Sequence, residues 1–352
     1  MTAVRRSSVT RGAAGSQPAA GVSQLGGPGR AGTGLQRAGQ RGAALLLALL
    51  ILTMVATLAA GMVWQQWRAI QIESAERART QAAWILSGAL DWARLILRED
   101  ARTGGADHLG EPWAVPLAEA RLSSFLAADR DNNSMAENDS LDAFLSGSIV
   151  DAQSRWNLRR LIDGNGKVVP AELRVLQRLC DQGGAPGDSA DRIATALAKA
   201  WGPPGASRDD AAIAPQRLSQ LAWLGIDADT IGRIEPWVTL LPGADARVNI
   251  NTAPAEVIAA AVDGMTLGSA QRLVQERQNQ VFKDVATPPA RSYFPEAPET
   301  PLNGLGVSSR FFIVQGRLRL GERVLEERSL VERRQLEVVV LQRERLSLRD
   351  GT

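Results

Sequence analysis

The sequence has very few of the residues on which most catalytic and metal sites depend. Among its 352 residues there is one cysteine, Cys180, and one histidine, His108. A single cysteine excludes an intramolecular disulfide, a zinc knuckle and a CxxC redox pair. A single histidine leaves a histidine-based metal site or a Ser–His–Asp relay without a second candidate. The phosphate-binding pattern GxxxxGK[ST] is also missing. We therefore expect no enzyme, although a site built only from carboxylates stays open.

The basic charge of the chain is confined to its N-terminus. The 40 Lys and Arg residues exceed the 38 Asp and Glu residues by two. Residues 1–42 contain six arginines and no acidic residue, so residues 43–352 hold 34 basic and 38 acidic residues, a net charge of −4. Because duplex binding depends on neutralising phosphates with basic side chains, the acidic remainder does not favour nucleic acid as a partner.

A long apolar segment follows this arginine-rich tail. Residues 43–64 carry no charge. As a helix rising 1.5 Å per residue they would span about 33 Å, which is enough for a hydrocarbon core of about 30 Å. The preceding arginines predict that residues 1–42 are cytoplasmic and that the rest of the chain lies outside. A cleaved secretory signal fits poorly, because its apolar region would run only about 7–15 residues.

The helical pattern continues beyond the apolar segment. Apolar and small residues recur at three- and four-residue steps, and no proline occurs between Gly42 and Pro112. We predict one helix that ends near Arg102, before Gly104 and Gly105. Its outer half is amphipathic and includes Trp84 and Trp92, so we expect it to pack against a globular domain.

The junction between tail and helix resembles a known processing signal. Arg41-Gly42 followed at once by a long apolar helix resembles the class III signal of type IV pilins and type II secretion pseudopilins. The resemblance implies that a prepilin peptidase cleaves after Gly42 and methylates the new N-terminus, Ala43. Residues 1–42 would then be a cleaved leader, and the anchor would stay on the mature protein.

Leu47 would be the fifth residue of the mature chain, where most pilins carry glutamate. A lone carboxylate in lipid costs about 2.5 kcal/mol or more and persists only with a partner. In pilins that partner is the terminal amine of the subunit above. A subunit with no neighbour above needs no such glutamate, which is typical of the K family of minor pseudopilins. An ordinary membrane anchor would also lack it.

Four later segments resemble the same K family. In the first, Asn157-Leu158 stand where the family has an Asn-Leu-Asn type pattern, with Arg159 replacing the second Asn. The second ends at Pro242, and the third contains Asn249, Asn251 and Thr252. The segments are 149–161, 234–242, 248–258 and the C-terminal strands within 310–342. Their order along the chain is that of the family.

Local structure can be predicted for the first and third segments. The first favours a short hairpin that turns at Ser154-Arg155 and leads into a helix. In the third, Asn251 or Thr252 is a natural N-cap, with Pro254 and Glu256 in the first helical turn. We interpret the shared asparagine, leucine, proline and threonine positions of these segments as structural.

The C-terminal pattern completes the predicted fold. Residues 310–320 and 323–331 alternate around Gly321-Glu322, which predicts an antiparallel hairpin, and 335–342 predicts a third strand. Helical segments are expected at 171–179, 191–201, 216–224 and 268–278. The fold class is therefore α+β. It is a type IV pilin-like fold, in which a long N-terminal helix packs on an antiparallel sheet, with a large all-helical insert domain.

This interpretation divides the chain into six parts. They are the leader 1–42, the transmembrane helix half 43–64, the outer helix half with the first part of the pilin domain 65–160, the helical insert 161–300, the C-terminal strands 301–345 and a tail 346–352.

A rival interpretation concerns the segment 248–282, which also resembles the helix-hairpin-helix modules of DNA-uptake proteins. Those modules hold phosphates on the backbone amides of a glycine-rich hairpin. Here the hairpin 262–268 lacks the paired glycines, and Asp263 would lie close to a phosphate. We favour a helical hairpin used for packing and expect no nucleic acid. The alternative function is a membrane-anchored, periplasmic DNA-binding protein of DNA uptake.

An acidic run is the one candidate metal site. Asp129, Asp131, Asn133 and Glu137 alternate like the front of a calcium loop. Ser134 and Ser140 occupy the positions at which an EF-hand needs Gly and Glu, so the run is not an EF-hand, and a solvated loop is the simpler interpretation. The K-family resemblance implies calcium binding in the exported domain without locating it. No other cofactor is expected.

The resemblance also implies a function. A K-family protein is a non-enzymatic minor pseudopilin of the type II secretion system, placed at the pseudopilus tip with the I and J minor pseudopilins. Together they initiate or cap a fibre of major pseudopilin that drives folded exoproteins through the outer-membrane secretin. The expected location is the bacterial inner membrane, crossed once, with the C-terminal domain in the periplasm.

Overall fold

The computed structural model describes residues 40–123, 143–202, 213–296, 302–321 and 323–349. The chain divides into two units, Met1–Gln71 and Ile72–Thr352. Helix α1 runs from Gln40 to Thr103. It ends at Gly104 and Gly105, whose φ angles of 67° and 125° are left-handed values that stop a helix. The predicted end of this helix is confirmed.

In the first unit, α1 is apolar and exposed on all sides. Leu46, Leu52 and Met54 are each more than 60 % exposed, and no residue in the most apolar stretch of the helix is buried. Among the described residues, this helix alone is long and apolar enough to cross a membrane. It provides a single membrane anchor.

The second unit contains a five-stranded antiparallel sheet in the order β1-β2-β7-β8-β9. Two of its strands precede a long insertion and three follow it. The five are β1 (Leu117–Arg121), β2 (Ala143–Asp151), β7 (Phe311–Leu320), β8 (Arg323–Arg334) and β9 (Glu337–Arg349). Strands β7 and β8 form the predicted hairpin, and β9 is longer than predicted.

The outer part of α1 packs on one face of this sheet. Its buried face consists of Ala82, Leu86, Leu90, Ala93 and Leu97. These side chains join two apolar clusters with β2, β7 and β8. The predicted packing of this helix is therefore confirmed. Trp84 and Trp92 lie on its exposed side and take no part in that core.

The insertion between β2 and β7 is mostly helical, as predicted. Its short strands are β3 (Trp156–Asn157), β4 (Val238–Thr239), β5 (Val248–Asn249) and β6 (Leu305–Gly306). Its helices are α2 (Pro170–Gln182), α3 (Ser189–Ala200), α4 (Ala228–Ile234), α5 (Ala255–Ala261) and α6 (Leu267–Asn279). The predicted helix 216–224 is a 3-10 helix, Leu218–Leu224. Apolar faces of these elements form one shared core, which includes Leu176, Leu197 and Ile258.

One local prediction was wrong. Ser154-Arg155 is not the turn of a hairpin, because a 3-10 helix, Ala152–Ser154, follows β2. Strand β3 then pairs in parallel with β4, more than 80 residues later, and not with β2. This pairing is long-range, so the local pattern of 149–161 did not reveal it.

Candidate functional site

The processing and anchor residues lie together near the start of α1. Gly42 and Ala43 are exposed residues within the helix, and Leu47 is 61 % exposed in the apolar stretch. A helix with an apolar side chain here places no carboxylate in lipid, so the position needs no charged partner. Cleavage after Gly42 and the assembly role of Leu47 stay predictions.

A second site is the buried junction between the sheet and the helical insertion, centred on Asp151 at the end of β2. This side chain is 2 % exposed. Its Oδ2 atom accepts hydrogen bonds from Thr252 Oγ1 at 2.5 Å, Ser309 Oγ at 2.7 Å and Asn249 Nδ2 at 3.1 Å. Its Oδ1 atom accepts from the backbone N–H of Gln153 at 2.7 Å. One carboxylate therefore joins β2, β5 and the chain entering β7.

Burial controls the protonation of this carboxylate. Desolvation raises the pKa of Asp151 from 3.8 to about 6, although the hydrogen bonds from Ser309, Thr252 and Gln153 oppose the rise. Burial disfavours the charged form, whereas hydrogen bonds to the carboxylate favour it. Asp151 is thus a buried acid whose charged form is stabilised by hydrogen bonds.

Asn249 extends the junction to the end of α1. Its Nδ2 atom lies 3.0 Å from the carbonyl oxygen of Asp107 and 3.0 Å from Ser309 Oγ. Its Oδ1 atom accepts from the backbone N–H of Asn251. The backbone N–H of Asp107 also donates to Val307 O at 2.9 Å. The segment after α1 is therefore fixed to the insertion and to the chain leading into β7.

Arg333 on β8 neutralises the acidic residues at the end of α1. Its Nη1 atom lies 2.5 Å from Asp100 Oδ2, and its Nη2 atom lies 2.6 Å from Asp107 Oδ1. Nη2 also donates to Ser309 O at 2.8 Å. Burial is the main reason that the pKa values of Asp100 and Asp107 are raised, and the Arg333 charge partly offsets it. The side chains of Arg333, Asp100 and Asp107 are only 11 %, 9 % and 4 % exposed, so the pairing offsets a large desolvation cost.

Asn157 holds a second part of the insertion. Its Nδ2 atom donates to Gly243 O at 2.8 Å, and its Oδ1 atom accepts from the backbone N–H groups of Leu241 and Arg159. These bonds fix the chain on both sides of Pro242, which is itself exposed. Leu158 is completely buried in the core of the insertion. The structural interpretation of Asn157 and Leu158 fits these contacts.

Asn251 and Thr252 are not helix N-caps, contrary to the prediction. Helix α5 has Pro254 as its N-cap and begins at Ala255, with Glu256 in the first turn. Asn251 instead forms two hydrogen bonds with the backbone of Phe282, at 2.9 and 3.1 Å. Thr252 donates to Asp151. Both side chains make long-range contacts, so local helix-start chemistry misassigned them.

The helix-hairpin-helix-like segment is built from α5 and α6. Asp263 in its hairpin pairs with Arg178 of α2 at 3.1 Å. Arg277 of α6 points inward and donates to Ile250 O at 2.7 Å and Ala253 O at 2.5 Å. Burial lowers the pKa of Arg277 to about 10. The Asp263–Arg178 ion pair and the hydrogen bonds of Arg277 hold the insertion together, which supports the packing interpretation of the hairpin.

The predicted calcium run lies outside the described residues, since Asp129, Asp131, Asn133 and Glu137 all fall within 124–142. Among the described residues, one group of three acids is close enough to hold a metal ion: Asp100, Asp107 and Glu111, with oxygens within 4.8 Å of one another. Arg333 already pairs with two of them, and Glu111 accepts from Trp113 Nε1 at 2.7 Å. This group does not fit calcium, because a bound cation there would meet the guanidinium.

Sequence reasoning missed the central residues of the junction. Asp151, Asp107, Ser309 and Arg333 lie in four different segments and were not selected as site residues. The only sequence signal was Asp151 directly after the apolar pair Ile149-Val150 at the end of a strand, where an acid is unexpected.

Comparisons with known proteins find similarity to one family. Residues 154–243 and 248–307 match two family models, both described as type II secretion system protein K. The protein K of Pectobacterium carotovorum subsp. carotovorum is 29 % identical over 336 residues, covering 88 % of this chain and 97 % of that protein. The protein K of Pseudomonas aeruginosa is 29 % identical over 333 residues, covering 87 % and 90 %.

A solved structure shares the fold. In the crystal structure of the GspK-GspI-GspJ complex from the enterotoxigenic Escherichia coli type 2 secretion system, the matching chain is 20 % identical, with a TM-score of 0.58. The match covers 77 % of this chain and 98 % of that one. The chain is therefore similar to type II secretion system protein K, both in the two matched segments and over most of its length.

Proposed function

We propose that this chain is the tip subunit of the pseudopilus and acts by assembly, with no catalytic activity. The observation that carries the proposal is the place of the helical insertion. It leaves the sheet after Asp151 and returns before Phe311, at the same end of the sheet at which α1 terminates. The residues from α2 to α6 therefore add bulk at the end of the domain that a further subunit would cover.

The junction makes this bulk a fixed obstacle. Four hydrogen bonds to the Asp151 carboxylate and two ion pairs of Arg333 tie the insertion, the end of α1 and the sheet together. Because these bonds are buried, displacing the insertion would leave polar groups unsatisfied at a cost of about 1–3 kcal/mol each. A subunit added above would meet a rigid domain.

Leu47 supports the same position. An ordinary pilin glutamate would need a neighbour's terminal amine, whereas an apolar side chain is stable in lipid without one. A tip subunit has neighbours below it only. We propose the I and J minor pseudopilins as those neighbours, and the fibre of major pseudopilin beneath them. The fibre then pushes folded exoproteins through the outer-membrane secretin.

Maturation prepares the chain for this role. The arginines of 1–42 orient insertion into the inner membrane, and a prepilin peptidase cleaves after Gly42 and methylates Ala43. The second unit then lies in the periplasm. N-terminal sequencing and mass spectrometry of protein purified from membranes should find N-methylated Ala43. The variant Gly42→Leu should stay uncleaved, while Gly61→Leu, at an equally open helical glycine, should be processed. An uncleaved wild-type Met1, or a start near Gly61, would contradict this route.

The tip position can be tested by labelling. Burial raises the pKa of Cys180, the one cysteine, to about 12, so it should not react. A cysteine introduced at exposed Ala171 on α2 would therefore carry a gold label alone. Electron microscopy of assembled pseudopili should find one label at one end of each fibre. Labels repeated along the fibre would exclude the tip position, and the unlabelled wild type controls for binding at Cys180.

Calcium binding is a separate proposal, carried by the acidic run alone. Alternating carboxylate and amide oxygens are ligands that calcium prefers. Isothermal titration calorimetry of the full chain in detergent should detect calcium, and the double variant Asp129→Asn, Asp131→Asn should abolish the signal. The variant Asp107→Asn should leave it unchanged, because that carboxylate is paired with Arg333. Absence of heat from the wild-type protein would remove the proposal.

A further inference from the structure

A cavity of about 330 Å³ lies between the helical insertion and the sheet face opposite to α1. The sheet contributes residues of β7, β8 and β9. The insertion contributes residues at the start of the 3-10 helix Leu218–Leu224 and around β4. Its apolar walls include Leu218, Val238, Leu240, Ile313 and Leu330. Gln342 Nε2 donates to Gln216 O at 2.9 Å across the cavity mouth, so sheet and insertion are tied together there.

Two arginines line this cavity. Arg155 follows the 3-10 helix after β2, and Arg328 lies on β8; both are partly buried. Among the described residues, neither guanidinium has a carboxylate within ion-pair distance or makes a hydrogen bond. The two charges repel each other: burial first, and the Arg328 charge second, lower the pKa of Arg155. A pair of desolvated like charges is unfavourable unless an anion lies between them.

The acidic residues around the cavity do not balance this pair. Glu344 is opposite Arg328 in the β8–β9 register, but its carboxylate lies 3.7 Å from Arg217 Nη1. Glu235 raises the pKa of Arg155 by less than burial or the Arg328 charge lowers it, and Glu235 is exposed at the rim. Among the residues that the structure describes, three arginines and two glutamates line the cavity, which leaves a net charge of one positive.

We propose that this cavity binds one carboxylate, the acidic side chain of a partner protein, between Arg155 and Arg328. One carboxylate would cancel the excess charge, and guanidinium groups bind carboxylates through strong charge-assisted hydrogen bonds. The apolar walls match the aliphatic part of a glutamate side chain, whereas a dianionic phosphate would reverse the net charge. The site is independent of the tip position and of calcium.

The test uses the full chain in detergent micelles and two peptides, N-acetyl-Ala-Glu-Ala-amide and its neutral match N-acetyl-Ala-Gln-Ala-amide. Phenylglyoxal modifies accessible arginines, and mass spectrometry measures the rate at each position. The glutamate peptide should slow modification of Arg155 and Arg328, with an affinity about tenfold higher than that of the glutamine peptide, because a charge-assisted bond is lost in the latter. Exposed Arg272 on α6 should react at one rate throughout.

Variants separate a binding site from a structural pair. Arg155→Gln should abolish peptide protection of Arg328 without lowering the melting temperature, because it removes an unpaired cation, while Arg272→Gln should retain protection. Equal protection by both peptides, or protection that survives Arg155→Gln, would overturn the proposal. The proposal would also be overturned if Arg155 were protected without peptide and this protection disappeared in the double variant Asp209→Asn, Asp210→Asn. The chain would then supply its own carboxylate.

Discussion

The hydroxyl of Thr252 donates a 2.5 Å hydrogen bond to Oδ2 of Asp151, two residues that are 101 positions apart in the chain. The bond joins the turn before α5 to the end of β2. The helical insertion is thereby attached to the pilin-like sheet through a buried polar group and not through apolar packing alone.

Thr252→Val should lower the free energy of unfolding by about 1.5–3 kcal/mol, because the isosteric change removes a buried hydrogen bond to a charged group. Urea unfolding of the full chain in detergent, followed by tryptophan fluorescence, measures the effect. Ser329→Ala is the matched control. Its buried hydroxyl has no hydrogen-bond partner among the described residues, so its removal should be neutral or stabilising. Equal losses in both variants would contradict the assigned role of Thr252.

Asp151 should make the protein more stable as pH falls. Its pKa is about 6 in the folded state and 3.8 ordinarily. The folded state therefore binds the proton more tightly, and stability rises from pH 7 through 6 towards 4, by up to about 3 kcal/mol. Asp100 and Asp107 have pKa values raised in the same direction. The measurement is therefore the free energy of unfolding of the wild type minus that of Asp151→Asn, determined at each pH.

Asp227 provides a control, because its pKa is shifted in the opposite direction to that of Asp151. Hydrogen bonds from Thr230 lower the pKa of Asp227, so its contribution is present above the unfolded pKa of about 3.8 and is lost only below it. The wild-type minus Asp227→Asn difference should be constant between pH 4.5 and 7.5, where the Asp151 difference slopes. A flat Asp151 difference would show that its pKa is not raised.

Arg333→Gln should cost about 3–5 kcal/mol, because it leaves the buried carboxylates of Asp100 and Asp107 without their cation. The double variant with Asp107→Asn should recover part of the loss. Thermal unfolding of both variants measures this coupling. Arg79→Gln breaks an exposed pair with Glu76 on α1 and should cost about 0.5 kcal/mol or less. No recovery in the double variant would argue against direct pairing.

Gly183→Ala should destabilise the helical insertion by about 1–3 kcal/mol through overpacking. A Cβ atom at Gly183 would lie 2.8 Å from Arg233 O and 2.9 Å from Trp237 Cζ3. Gly187→Ala in the same loop meets nothing within 4 Å, and it should be neutral. Urea unfolding of both variants in the same buffer measures the difference in their free energies of unfolding. A stable Gly183→Ala variant would show that the end of α2 can move away from α4.

Regular local patterns were sufficient for most elements. The three- and four-residue apolar period predicted α1 and its end, and strict alternation predicted β7 and β8, because both patterns are read within one element. The resemblance to the K family supplied the plan of a sheet with a helical insertion. The prediction of a hairpin at Ser154-Arg155 was wrong because β3 pairs with β4, where the partner of Trp156 is Val238, 82 positions later. Asn251 and Thr252 have good N-cap chemistry, yet the fold uses their side chains elsewhere.

The sequence by itself determined the apolar anchor, the confinement of the net positive charge to residues 1–42, and the alternation that makes a sheet. Each depends on residue type and spacing along a continuous segment. Only the tertiary structure decided that Asp151, Asn249, Thr252 and Ser309 meet, that Arg333 neutralises the end of α1, and that Arg155 and Arg328 share a cavity. Such groups acquire their burial, protonation and partners from segments far apart in the chain, and those contacts exist only after folding.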